Sequence, residues 1–235
     1  MIKHEPVLPP EFLYPIEEWR WVEKTFAPQF LPQAETIFAV ANGYLGMRGA
    51  FEEGEPAYRH GTFVNGFHET WPIPYGERAF GFATTGQTIV NLPDGKLIRL
   101  YVDDEPFDLG SARILRFERA LDMRAGTLER QVLWETPAGR QLLIESRRLV
   151  SFHEKHVAAI WYRVTVLNAR AALVLVSEFV NHVPVREVGE DDPRLARGSS
   201  DQVLALQRTA GRRFSPPSAT LRSGRGIREE GPARA

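Results

Sequence analysis

Between Tyr58 and Phe82 stand seven aromatic residues, Tyr58, Phe63, Phe67, Trp71, Tyr75, Phe80 and Phe82, in a stretch of 25; the whole chain of 235 residues holds 25. They are interleaved with Asn65, His68, Glu69, Glu77 and Arg78. Ring faces beside carboxylate, amide and guanidinium groups suit a pyranose, whose C–H face is apolar and whose hydroxyls need hydrogen-bond partners. Trp, Tyr, Phe and Arg are equally the residues enriched in protein interfaces, and on spacing alone an interface is favoured over a direct sugar site. His68, Glu69, Trp71, Tyr75 and Arg78 are the candidate contacts under either reading. Pro72, Pro74 and Gly76 break the middle of the stretch, which predicts a loop there rather than a regular strand.

Other chemistry-bearing patterns are weaker. Gly43-Tyr44-Leu45-Gly46-Met47-Arg48-Gly49 has the spacing GxxGxxG, and no Lys-Ser/Thr follows, so it does not make a nucleotide loop. Its glycines instead suit positive φ and close backbone approach. His153 and His156 are near in sequence but three apart, which in a strand puts them on opposite faces; a solvated turn is expected there, and no metal site. The acidic runs Glu52-Glu53-Gly54-Glu55, Asp103-Asp104-Glu105 and Glu190-Asp191-Asp192 are each expected in solvated loops. Glycosidase chemistry needs two carboxylates about 5–10 Å apart across a sugar, a distance that sequence does not give. There is no Gly-x-Ser-x-Gly elbow to supply a serine nucleophile.

The elements that must position these residues read as strands and turns. Pro15 to Phe26 is expected to hold a strand around Trp19–Val22 rather than a helix. Leu128, Arg130, Val132 and Trp134 alternate with Glu129, Gln131, Leu133 and Glu135, and Thr136-Pro137-Ala138-Gly139 turns the chain into residues 141–146, a hairpin. A second hairpin follows the turn Asn91-Leu92-Pro93-Asp94-Gly95, running through residues 97–102 and back at Asp103-Asp104-Glu105-Pro106. Residues 157–167 and 171–180, joined by Asn168-Ala169-Arg170, are apolar on both faces and are expected at the centre of a sheet. Strands separated by turns every 8–12 residues, without intervening helices, predict an all-β, antiparallel two-layer sandwich over residues 1–210.

Composition narrows the partners. Lys plus Arg total 29 against 30 Asp plus Glu, so no basic field attracts nucleic acid or an anionic membrane. The absence of cysteine excludes disulfides, thiolate metal sites and cysteine nucleophiles, and fits a reducing, cytoplasmic setting. No run approaches the roughly 18 apolar residues of a membrane helix, and residues 1–10 lack a signal-peptide pattern. Residues 211–235 carry six Arg, two Glu and six scattered apolar residues, too few to offset the cost of ordering a backbone, roughly 1–2 kcal/mol per residue. They are expected to be a disordered Arg/Pro/Ser/Gly-rich tail.

Several blocks carry a resemblance. They are Glu35-Thr36-Ile37-Phe38-Ala39-Val40-Ala41-Asn42-Gly43-Tyr44-Leu45-Gly46-Met47-Arg48-Gly49, then Glu52-Glu53-Gly54 and His60-Gly61-Thr62-Phe63-Val64-Asn65-Gly66, then Val90-Asn91-Leu92-Pro93-Asp94. Arg119-Ala120-Leu121-Asp122-Met123-Arg124-Ala125-Gly126-Thr127-Leu128-Glu129-Arg130 and Glu145-Ser146-Arg147-Arg148-Leu149-Val150-Ser151 complete them. Together they resemble the N-terminal domain of glycoside hydrolase family 65, which comprises maltose, trehalose and kojibiose phosphorylases with some hydrolases.

The resemblance implies an N-terminal β-supersandwich followed by a helical linker and an (α/α)6 barrel. It also implies that the general acid, a glutamate, and the phosphate that attacks with inversion both belong to the barrel, and that neither cofactor nor metal is required. No position of this sequence matches that glutamate, so no catalytic residue is assigned and the chain alone is expected to be inactive. Past about Leu206 the further strands of such a sandwich are not recognisable, so the sandwich is expected to be incomplete at its C-terminal end. The expected role is that of a non-catalytic, carbohydrate-associated domain. Its expected partners are the barrel, in cis or as a separate chain, a disaccharide or glucoside, and, as for full members of the family, a second copy in a homodimer. A stand-alone carbohydrate-binding module is the alternative.

Overall fold

A computed structural model describes residues 11–54, 61–75, 77, 79–180 and 213–214, and it bears out the antiparallel all-β reading. In chain order the strands are β1 (Arg20–Glu23), β2 (Val40–Ala41), β3 (Leu45–Met47), β4 (Thr62–Pro72), β5 (Thr85–Asn91), β6 (Asp94–Val102) and β7 (Glu105–Pro106). They continue as β8 (Arg113–Asp122), β9 (Thr127–Glu135), β10 (Gln141–Val150), β11 (Ala158–Val166), β12 (Leu173–Val180) and β13 (Arg213–Phe214). Among the described residues one α-helix, α1 (Leu31–Ile37), follows a 3-10 turn.

Three sheets form, in the orders β1-β8-β9-β10-β11, β13-β12-β6-β7 and β2-β3-β4-β5. The first two make the sandwich. Leu100 and Val102 of β6, with Phe107 and Leu109, pack on Phe117, Val132, Trp134, Leu142, Ile144 and Val164 of the five-stranded sheet. These inward residues fall on alternate positions of their strands, which is why the pattern was legible. A second cluster, with Leu13, Tyr14, Ala34, Phe38 and Val40 against Leu128 and Val150, covers the near end of the same sheet.

Both expected hairpins are present. β9 turns into β10 through Thr136–Gly139, where the Gly139 amide donates to the Thr136 carbonyl at 2.8 Å. β6 turns into β7 through Asp103 and Asp104, both at positive φ (47° and 70°), a conformation that Asp tolerates better than most residues. The glycine-rich block is structural as expected. Gly43 has φ 85°, and a Cβ on Gly49 would lie 2.6 Å from that of Phe38.

Three expectations are corrected. Residues 157–167 and 171–180 do not share the centre of a sheet. β12 lies between β13 and β6, whereas β11 is, among the described residues, an edge strand of the other layer, and Asn168-Ala169-Arg170 carries the chain from one layer to the other. Apolarity on both faces was read as central position, yet part of it reflects burial against the core beneath. Helix α1 was not foreseen: Pro28, Pro32, Thr36 and Ile37 mask it, and packing of Ala34 and Glu35 holds a segment that propensity alone would not. The aromatic stretch is a strand as far as Pro72, β4 running through Phe63, Phe67 and Trp71, and the chain leaves regular structure at that proline, where the loop was expected.

The third correction concerns the acidic pair Glu52-Glu53, which is buried rather than solvated. Arg130 donates two hydrogen bonds to Glu53, at 2.5 and 2.6 Å, and lies 3.1 Å from Glu52. Arg148 donates to Glu52 at 2.7 Å and to the carbonyls of Arg48 and Ala50. Tyr162 donates its hydroxyl proton to Glu53, and Ser146 donates to Glu52. Arg119 pairs with Glu23, donates to the Gly49 carbonyl and is sandwiched between the rings of Phe38 and Phe51 at 4.2 and 4.4 Å. Three arginines of the five-stranded sheet thus pin the segment from Arg48 to Glu53 across its inner face. A buried charge is tolerated only when paired and hydrogen-bonded in this way. The Glu190-Asp191-Asp192 run and, apart from the β13 residues Arg213 and Phe214, the expected tail at 211–235 lie outside the described residues.

Candidate functional site

β4 and β5 form a long antiparallel arm on the third sheet. Its register shifts between Phe63 and His68, after which His68 faces Ile89, Glu69 faces Thr88 and Trp71 faces Gly86. Beyond the bulge the two strands extend past β2 and β3, so most of their side chains are exposed or half-buried. An isolated two-stranded hairpin is marginal in water. This one is rooted by Thr62, whose hydroxyl accepts a hydrogen bond from the buried Lys96 ammonium, itself paired with Asp94 at 2.6 Å.

The five candidate residues separate along the arm. His68 is exposed on one face of β4, whereas Glu69 and Trp71, both half-buried, lie on the other. The Trp71 indole rests directly on the Gly86 backbone: a Cβ there would lie 2.3 Å from the ring, so only glycine fits. Trp71 Nε1 and Glu69 Oε2 are buried atoms without a hydrogen-bond partner among the described residues. Tyr75 lies beyond the strand, its ring 5.0 Å from that of Phe82. Arg78 lies outside the described residues.

At the arm's tip Pro72, Ile73, Pro74, Tyr75, Ala79, Phe82 and Thr84 line a groove of about 310 Å³. The Ile73 amide donates to the Thr84 carbonyl at 3.0 Å, which closes the base of the groove. The structure therefore joins Tyr75 with Phe82 and leaves His68, Glu69 and Trp71 further down the arm. Ile73 and Thr84 were missed in the sequence. The signal was the Pro-x-Pro spacing, which holds the intervening side chain on an extended backbone.

Apart from the Tyr75 and Thr84 hydroxyls, the lining side chains are apolar. Such a groove covers the C–H face of a sugar or an apolar side chain of another protein, but brings few partners for a ring of hydroxyls. Among the described residues that line the groove none carries a carboxyl for acid–base chemistry. The buried carboxylates of Glu23, Glu52 and Glu53 are committed to arginines: burial works to raise Glu52, yet Arg130 and Arg148 outweigh it and hold the carboxyl below its ordinary value. Burial raises the Tyr162 phenol well above its usual range, with Glu53 adding to the effect. Among the described residues no group of three or more His, Asp and Glu is placed to hold a metal ion, and no helix is long and apolar enough to cross a membrane.

Comparison with known proteins places this architecture. The family description "Glycosyl hydrolase family 65, N-terminal domain" matches residues 21–226. An uncharacterized glycosyl hydrolase of Mycobacterium tuberculosis is 41% identical over 186 residues, which is 79% of this chain and 24% of that protein. An alpha,alpha-trehalose phosphorylase of Thermoanaerobacter brockii is 42% identical over 183 residues, again 76% of this chain and 24% of the relative. Among solved structures, a putative kojibiose phosphorylase from the human microbiome superposes with a TM-score of 0.65 at 25% identity, over 74% of this chain and 23% of its own. The chain thus spans about a quarter of the length of these relatives.

Proposed function

The chain belongs to the glycosyl hydrolase family 65 N-terminal domain family, and from that premise we propose that it serves as the non-catalytic, carbohydrate-associated domain of a disaccharide phosphorylase or hydrolase. Its arm docks on the catalytic barrel and borders the substrate pocket. The observation that carries this reading is the lining of the groove at the arm's tip, where Pro72, Ile73, Pro74, Ala79 and Phe82 offer apolar contact but little hydrogen bonding. Surfaces of this kind bury well against another protein. The substrate is an α-linked glucoside, and the setting is the cytoplasm, in keeping with a cysteine-free chain.

A stand-alone carbohydrate-binding module is the second reading. In its favour stand Trp71 Nε1 and Glu69 Oε2, buried on one face of β4 and without partners among the described residues, which a sugar hydroxyl would satisfy. Titration with maltose or trehalose, followed by tryptophan fluorescence, separates the two. Docking predicts no saturable change up to high sugar concentration. A saturable change lost in Trp71→Ala establishes the module instead.

A further inference from the structure

The register break at the base of the arm is larger than an ordinary bulge. Phe63 faces Asn91 and His68 faces Ile89, so four residues of β4 stand against Val90 alone, where a bulge sets two against one. On the near side of the break the chain is anchored. Thr62, Phe63 and Val64 pair with β3, and the Asn65 amide donates to the Tyr44 carbonyl at 2.7 Å. The Thr62 amide donates to the Asn91 side chain at 3.1 Å, and its hydroxyl accepts from the Lys96 ammonium. On the far side, residues 68–72 pair with 85–89 in unbroken register, the Ile73 amide donates to the Thr84 carbonyl, Trp71 rests on Gly86 and Tyr75 packs against Phe82. Two stiff units thus meet at Gly66 and Phe67 on one strand and at Val90 on the other.

We propose that Gly66 and Phe67, opposite Val90, form a hinge about which the arm swings as one body relative to the sandwich. Three observations converge there. Gly66 has φ 95°, and glycine passes between positive and negative φ at no steric cost; a Cβ on it would meet nothing within 4 Å. Phe67 is 46% exposed, so turning it gives up little packing. The arm's residues belong to neither core cluster, and among the described residues no hydrogen bond or ion pair ties residues 67–89 to the sandwich. Hinges absorb a motion at a few backbone positions of this kind, on microseconds to milliseconds. The use of the swing rests on the docking reading above: an arm that swings opens the border of the substrate pocket to a disaccharide and closes it again.

Distances between spin labels on the full chain test this, and the absence of native cysteine makes the labels site-specific. Thr70→Cys with Ala138→Cys reaches from the arm to the turn between β9 and β10, whereas Glu154→Cys with Ala138→Cys spans the sandwich along β10 alone; all three positions are exposed. The body pair is expected to give one narrow distance, and the arm pair a distribution at least about twice as wide. Gly66→Val denies the hinge its positive φ. It is expected to shift the mean arm distance while the body pair and the melting temperature stay as they were. An arm pair as narrow as the body pair, or a Gly66→Val chain with an unchanged arm distribution, overturns the hinge. The comparison of the two pairs decides without the Gly66 variant, so it does not depend on how that variant folds. Neither sugar nor barrel enters the measurement, so a fixed arm overturns the hinge and leaves the docking reading to the sugar titration.

Discussion

Arg130 grips the Glu53 carboxylate with two parallel hydrogen bonds, at 2.5 and 2.6 Å, in a place where both side chains are almost fully buried. The pair joins β9 to the segment that leads toward the arm, and Tyr162 closes it from β11. Removing one partner of such a pair leaves a buried charge uncompensated, so Glu53→Ala is expected to cost about 3–5 kcal/mol. Replacing both by residues of similar volume, as Glu53→Gln with Arg130→Met, is expected to cost clearly less than the sum of the single changes. Urea unfolding of the two single variants and the double variant measures this, and additive losses would contradict it.

A pH dependence follows from Glu52. Arg130 and Arg148 hold its folded-state value below the ordinary 4.5, against the opposing effect of burial. A carboxyl with a depressed folded value contributes stability that is fully present above the unfolded value and is lost as pH falls through the folded one. Glu52→Gln is therefore expected to be much less stable than wild type near about pH 7, with the gap narrowing toward about pH 3. A gap that stays constant or widens on acidification would count against the pairing.

Two glycines of one motif separate close packing from tolerance. A Cβ on Gly49 would press on Phe38 at 2.6 Å and on its carbonyl oxygen at 2.7 Å, whereas a Cβ on Gly46 would meet Ala41 at an ordinary 3.4 Å. Gly49→Ala is expected to destabilise by about 1–3 kcal/mol, as overpacking does, and Gly46→Ala by much less. Thermal melts of the two variants provide the comparison.

The arm leaves apolar surface in water. Phe67, Phe80, Phe82 and Ile89 are all exposed, Phe80 completely. Surfaces of this kind bind apolar dyes. The purified chain is expected to enhance the fluorescence of such a dye, and Phe80→Ser with Phe82→Ser to remove most of that signal without lowering the melting temperature. No binding by the wild-type chain would show that this surface is covered.

How far the sequence could be read differs between face and place. Strand alternation located Leu128, Val132 and Trp134 on the core side, and the turn residues at 103–106 and 136–139 located both hairpins. Arg130 was visible in the same inward phase, between Leu128 and Val132, which is the mark of a buried cation that needs a carboxylate. Its partner was hidden because Glu52 and Glu53 sit in a glycine-flanked segment that looks like a solvated loop until the sheet beneath it is known. β11 misled for the related reason that local apolarity reports burial and not neighbours. Of the site, the aromatic density was legible, but the sorting of Trp71 onto the strand and Tyr75 into the groove depends on where β4 ends.

The most direct measurement for the central claim is phosphate-dependent release of glucose 1-phosphate by a chimera. In it, residues 21–226 of this chain replace the corresponding N-terminal part of the trehalose phosphorylase from Thermoanaerobacter brockii. The account predicts trehalose phosphorolysis by the chimera and none by this chain alone. Turnover by the chain alone, or a chimera that folds yet releases no glucose 1-phosphate, would contradict it.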